Sequence, residues 1–291
     1  WNSRYKGELI MASTGQADLR AENVSRVVTS FALQEYKMKQ LCMIQSSSAW
    51  TETYYKETAA DLTAGGNLNV KGVPRLSNFP YGEVTWTKTS GRNVKHAMEG
   101  VISWEDAKTN AIDVISRTLL RIGRAVAKSV DTVIAAAIVA DAGNTTAANA
   151  TWNNATIADR DPIQDILDAK ALIEIDNYNP NQNGFLLVHP TNYSEMLGNA
   201  NVRNAGQFYT DSVTRNGVVG KLLGLTVISS NSITEGGAQV VIAKEAMTWK
   251  QVAPLTVKTV EDPGIKWTIR AFEVGQIQVV NADAICKITG V

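Results

Sequence analysis

Apolar residues recur every three or four positions between Ile112 and Ala137, and this is the clearest pattern in the chain. Ile112, Ile115, Leu119, Ile122, Val126, Val130, Val133 and Ala137 form one stripe on a helix. Ser103 followed by Asp106 is a variant of the capping box, so a helix is predicted from about 103 to 141, roughly 55 Å long. Gly123 is the one weak helix former within it. Arg117, Arg121, Arg124 and Lys128 fall on the opposite side as a basic stripe, flanked by Asp113 and Asp131. A helix this long, without heptads on both flanks, needs a broad sheet or another subunit to cover it.

Elsewhere the pattern changes. Residues 1–17 are polar and mixed, as expected of a mobile arm. A helix is predicted over 18–41 from Val24, Val27, Val28, Phe31, Met38 and Leu41. Residues 51–60, 83–89 and 93–102 read as strands, the last two around a turn at Ser90-Gly91-Arg92. Between them, 67–82 holds Pro74, Pro80 and too few apolar residues for a core of its own. A long structureless loop inside a compact domain is unusual, so the segment is predicted to be a hairpin that leaves the body. Residues 142–158 are Asn-, Thr- and Ala-rich, a polar connector. Asp161 as N-cap with Pro162 at the first helical position starts a helix through Ile163, Ile166, Leu167 and Ile173. A buried strand at 185–188 is stopped by His189-Pro190. A short helix with Tyr193, Met196 and Leu197 follows it, and then a polar loop at 199–216. Two apolar strands, 225–229 and 239–243, are joined through Gly236-Gly237. This alternation describes an α/β subdomain. The tail is strand-like: Asp262-Pro263-Gly264 makes a hairpin turn, after which Ile265, Trp267 and Ile269 alternate with polar residues. Ile265, Trp267, Ile269, Ile277 and Val279 are the positions expected to face the long helix.

Composition narrows the function more than the fold. Lys plus Arg is 28 and Asp plus Glu is 28 in 291 residues, so no global field draws the chain to nucleic acid or to an anionic membrane. The charged share of 19% is below the ~25% usual for soluble domains, and charges are depleted at interface cores. Cys42 and Cys286 are too few for a disulfide framework or a zinc site and read as small core residues. The longest apolar run, residues 133–140, is too short to span a bilayer. The first residue is Trp1, expected either from removal of a leading segment or from a start further upstream.

Searches for catalytic chemistry return no candidate site, and neither a cofactor nor a metal is expected. His96 lies in an alternating strand, where a surface or interface role is expected; His189 ends a strand, where its ring can bond nearby backbone. Gly220-Lys221 fails as a phosphate loop, because Arg215 stands at the first glycine position and Leu222 where Ser or Thr should bind magnesium. Carboxylates are scattered, giving metal-assisted or glycosidase chemistry no anchor. Trp86, Trp104, Trp249 and Trp267 fit core or interface packing. The basic stripe has two readings, a solvated face with local ion pairs or a surface turned towards packaged DNA.

In order and spacing these elements resemble the major capsid proteins of tailed bacteriophages, with the α+β Hong Kong 97-like fold, from about residue 50 to the end. The resemblance is carried by the loop running into Val94-Lys95-His96-Ala97 and Ile102-Ser103-Trp104-Glu105-Asp106, and by the long helix. The strand-turn Leu186-Leu187-Val188-His189-Pro190, the stretch Gly220-Lys221-Leu222-Leu223-Gly224-Leu225-Thr226-Val227, and Gln239-Val240-Val241-Ile242-Ala243 complete it. It implies an N-arm at 1–49, an extended E-loop at 50–100, a P-domain at 101–158 and 245–291 with a spine helix near 103–141, and an A-domain at 159–244. It implies a non-enzymatic protein that assembles with itself into hexamers and pentamers of an icosahedral shell. Portal, scaffolding and protease partners and weak, non-specific contact with packaged double-stranded DNA are also implied, with no membrane partner. The location would be the virion capsid, and the host cytoplasm before assembly. Asn201, Arg203 and Tyr209 would lie on a loop near the capsomer axis, Lys71 and Arg75 at an E-loop contact between subunits, and the basic stripe on the lumen side. Some relatives cross-link an E-loop Lys to a P-domain Asn; Lys71 matches the first, but Trp267 stands near the second, so no cross-link is expected. An encapsulin-type compartment and an unrelated α/β enzyme are the alternatives.

Overall fold

A computed structural model describes residues 21–57, 72–79, 86–109, 114–199, 202 and 220–291. Two β-sheets share one long helix. Of the helix expected over 103–141, the described residues form α2 (Trp104–Thr109) and α3 (Val114–Ala140), with 110–113, and so Ile112 and Asp113, outside the described residues. Ser103 caps α2, its Oγ accepting from the Asp106 N–H at 3.0 Å. No side chain of α2 is fully buried, Ala107 packing partly against the core under the first sheet, so packing stabilises α3 more than α2.

The inner face of α3 turns as its cover changes. Leu119, Ile122 and Val126 join a core with Val24, Val28, Ile102, Val257 and Ile269. Further along, Ala127, Val130, Ile134, Ala135 and Ile138 join a second and larger core. The stripe therefore ends on Ile134 and Ile138, not on Val133, which is exposed, nor on Ala137, which is half-buried. Gly123 belongs to the buried face. A Cβ there would meet the Val28 carbonyl oxygen at 3.1 Å, so the glycine sets how closely α1 (Ala21–Glu35) lies on α3.

The helix expected over 18–41 ends at Glu35, and a separate 3-10 turn covers Lys39–Leu41. Asp131, on α3, takes the backbone N–H groups of Lys37 at 2.7 Å and Lys39 at 3.2 Å. Those donors are lost to the helix ladder, which stops there. Asp131 is thus a buried structural carboxylate and does not flank the basic stripe. The chain then forms β1 (Met43–Ser46), so residues 21–46 of the expected N-arm pack on the body of the same chain.

The first sheet has the order β1-β10-β11-β4, with β4 (Val94–Ser103), β10 (Met247–Asp262) and β11 (Lys266–Val279). The turn after Asp262 closes the β10–β11 hairpin as expected. Ile269 faces α3, but Ile265 is 65% exposed because the ladder begins only at Lys266. Ile277 and Val279 pack into the second core instead. The expected turn at Ser90-Gly91-Arg92 is part of β3 (Trp86–Arg92), which pairs with β2 (Thr51–Glu57) while β4 pairs with β11. The chain changes ladder partner at Asn93, so no hairpin turn is needed.

The second sheet has the order β5-β12-β9-β6-β8-β7, with β5 (Asn144–Ala147), β6 (Gly184–Val188), β7 (Lys221–Leu222), β8 (Leu225–Ser229), β9 (Gly237–Ile242) and β12 (Ile285–Thr289). Helix α4 (Pro162–Ile175) starts where expected, the Asp161 side chain accepting from the Gln164 N–H. Helix α5 (Pro190–Gly198) follows β6. This sheet does not follow the division expected at 158/159 and 244/245. Strands β5 and β12 come from the segments assigned to the P-domain yet pair beside β9. Ile285, Cys286 and Ile288 are fully buried and find their apolar cover only there. The polar β5 is tolerated because it is the edge strand.

Candidate assembly surfaces

The β2–β3 ribbon carries the largest uncovered apolar side chains. The end of its ladder where Glu57 pairs with Trp86 is fastened to the body: the Lys56 Nζ lies 2.7 Å from Asp141 Oδ1 just after α3, and the Glu57 N–H donates to the Val280 carbonyl at 2.9 Å. Asn93 donates through its backbone N–H to the Trp50 carbonyl and through Nδ2 to the Ala49 carbonyl. Between the ribbon strands in sequence, residues 72–79 are almost wholly uncovered. Leu76 is 99% exposed and Phe79 86%, and Leu76 has a left-handed φ of 66° that a non-glycine residue rarely adopts. Arg75 beside them is exposed; Lys71 lies outside the described residues. Trp50, Tyr55 and Trp86 add exposed aromatic surface along the ribbon.

A second surface is the face of the first sheet turned away from α3. Small Ala97 floors a shallow groove of about 760 Å³, bounded by Lys95, Lys258, Phe272 and the Arg270–Glu99 pair at 2.6 Å. The Lys95 Nζ sits 4.9 Å from the centre of the Phe272 ring. Strand β4 is the edge of this sheet, so its outer hydrogen-bonding groups are unpaired within the ladder.

The basic stripe is the third surface. Arg117, Arg121, Arg124 and Lys128 are all exposed on α3, as the periodicity implies. The Arg124 Nε lies 2.7 Å from Glu35 Oε1 on α1, an exposed pair worth about 1 kcal/mol or less. Asn201, Arg203 and Tyr209 lie outside the described residues.

Sequence reasoning missed a buried polar cluster. Glu273 on β11 is fully buried and accepts from the Tyr36 hydroxyl at 2.5 Å, the Lys39 Nζ at 2.5 Å and the Trp249 Nε1 at 3.1 Å. His96, expected at a surface or interface, is buried opposite it, with Nδ1 2.8 Å from the Ser129 hydroxyl. The signal available was position: His96 and Glu273 point to the α3 side of their strands, where Ile102 and Ile269 also lie. His189 caps α5, its Nδ1 accepting from the Thr191 N–H at 3.3 Å. Among the described residues, no group of three or more His, Cys, Asp or Glu is placed to hold a metal ion, and no helix is long and apolar enough to cross a membrane.

Residues 94–288 match a family described as phage capsid protein. No curated protein sequence matches the chain. Among solved structures, the capsid of cyanophage P-SCSP1u is similar with a TM-score of 0.67 at 15% identity, covering 88% of each chain. A virus-like particle protein from Pyrococcus furiosus is similar at 0.65 and 11% identity, covering 92% of this chain and 98% of the other. A protein of Mycobacterium phage Che8 is similar at 0.60 and 16% identity, covering 82% and 84%. At these identities the likeness shows the fold, which is the Hong Kong 97-like capsid fold.

Proposed function

Because this chain belongs to the phage capsid protein family, we propose that it assembles with itself into the icosahedral shell of a tailed double-stranded DNA bacteriophage. Its role is structural, and it is a component of the virion. The rival of a compartment shell holding a cargo enzyme is not favoured, since the family matched over 94–288 is one of phage capsids.

One observation carries the assembly reading: among the described residues Leu76 and Phe79 have no apolar cover, while the β2–β3 ribbon is fastened at Lys56 and Glu57. In this reading 50–100 is the E-loop, whose outer end, Arg75 included, rests on a neighbouring subunit of a hexamer or pentamer. Residues 1–49 are the N-arm, the first sheet with α3 forms the body of the P-domain, and 159–244 forms the bulk of the A-domain. The loop holding Asn201, Arg203 and Tyr209 lies at the capsomer axis. Assembly takes place in the host cytoplasm with portal, scaffolding and protease proteins. Each subunit buries well over ~2,000 Å², the range of obligate assemblies. Electron microscopy of the purified protein tests this: closed shells are expected, and a protein that stays monomeric at high concentration with scaffold and protease supplied refutes it.

The basic stripe then faces the lumen. Four cations add a local, salt-sensitive attraction to packaged DNA and no tight site. Charge reversal at Arg121 and Arg124 is expected to leave empty shells forming normally and to lower the DNA retained per particle. Quantifying DNA against protein in purified particles checks this, and loss of assembly would instead make the stripe a subunit contact.

A further inference from the structure

The body offers two buried carboxylates to one short turn of chain. Asp131 on α3 takes backbone N–H groups of Lys37 and Lys39, and Glu273 on β11 takes the Tyr36 hydroxyl and the Lys39 ammonium. The one further donor to Glu273 is Trp249 Nε1 on β10. His96 stands directly opposite Glu273 in the β4–β11 ladder, and its Nε2 is buried with no partner among the described residues. The turn leads straight into β1, whose residues Met43 to Ser46 pair with Thr248 to Gln251 at the edge of the first sheet.

We propose that this arrangement is an acid-released latch: a proton taken up by His96 competes with Lys39 for Glu273 and frees residues 36–46 from the body. While the segment is docked, Lys39, Tyr36 and Trp249 satisfy Glu273, and burial disfavours the imidazolium. Without the segment, Glu273 is left with Trp249 alone, and an imidazolium across the ladder is the replacement cation within reach. Burial lowers the docked His96 pKa, with Glu273 opposing. Docking is therefore complete above the ordinary imidazole value, about 6.5, and weakens as pH falls below it. Asp131 works in the opposite sense. Its docked pKa is raised by burial, against the backbone N–H groups that lower it, so acid favours docking through this group, nearer the carboxylate range. Tyr36 and Cys42 are held protonated by burial and do not titrate in this window. Lys128 on α3, next to Ser129, is exposed, and Lys95 on β4 points to the other face of the sheet, over the Phe272 ring, so neither faces Glu273.

Hydrogen exchange on the full chain, corrected for intrinsic rates, tests the latch between pH 7.5 and 5. Protection of residues 36–46 is expected to fall about tenfold per pH unit below ~6.5, as for uptake of one proton, while residues 238–242 stay protected. His96→Gln flattens the profile. Lys39→Gln moves its midpoint to higher pH, because docking without the Lys39–Glu273 pair is weaker and less protonation releases it. A flat wild-type profile, or an equal slope in His96→Gln, overturns the proposal. If His96→Gln does not fold, absence of the upward shift in Lys39→Gln overturns it.

Discussion

Replacing Leu76 and Phe79 together by serine is expected to abolish shell assembly and leave the subunit folded. Neither side chain belongs to either core of the described chain. Both are nearly fully solvated, so their removal takes almost nothing from the stability of the isolated subunit, about 0.5 kcal/mol or less. Covered by a neighbour, each would contribute about 1.5–3 kcal/mol of apolar burial. Losing both weakens each contact by roughly 3–6 kcal/mol, a factor of about a hundred or more in the association constant. A shell repeats that contact in every subunit, so the loss compounds. Sedimentation velocity gives the assembly state and denaturant unfolding gives the stability. Normal shells from the double variant would show that residues 72–79 are not an assembly contact. A marked fall in subunit stability would show that they pack on their own body.

Leu119→Ala and Ile134→Ala are each expected to destabilise the subunit by about 2–5 kcal/mol, and Val133→Ala by less than about 1 kcal/mol. Leu119 is buried in the core under the first sheet and Ile134 in the core of the second, so the two substitutions test both ends of α3. Val133 is one residue from Ile134 but turned outwards. Denaturant midpoints of the three variants, read at constant slope, decide the matter. If Val133→Ala costs as much as Ile134→Ala, the helix is rotated by about a third of a turn from the orientation described.

Local patterns were enough for much of the architecture. The caps at Ser103, Asp161 and His189 act where a side chain can reach an N–H two or three residues ahead, a short-range matter. The hairpin after Asp262 follows from the turn residues themselves. The exposed basic stripe follows from helical period alone, and the exposure of 72–79 agrees with the want of apolar residues over 67–82.

Partner choice was not legible, because it depends on what lies across space. Nothing local distinguishes Val133 from Ile134 until the second core is known to cover α3 from the side of Ile134. Nothing near Asn93 says that the chain trades β2 for β11 as its ladder partner there. The polar segment 142–158 hides an edge strand because an edge needs no apolar pattern on both faces. His96 and Glu273 are 177 positions apart, and Lys39 and Glu273 234, so the buried cluster exists only once the two strands and the N-terminal turn meet. The sequence by itself determined most of the helices and core strands, since those depend on period and on neighbours a few residues away. The tertiary structure decided which polar groups are buried and which apolar ones are left uncovered, because burial is a property of the surface that arrives from elsewhere in the chain.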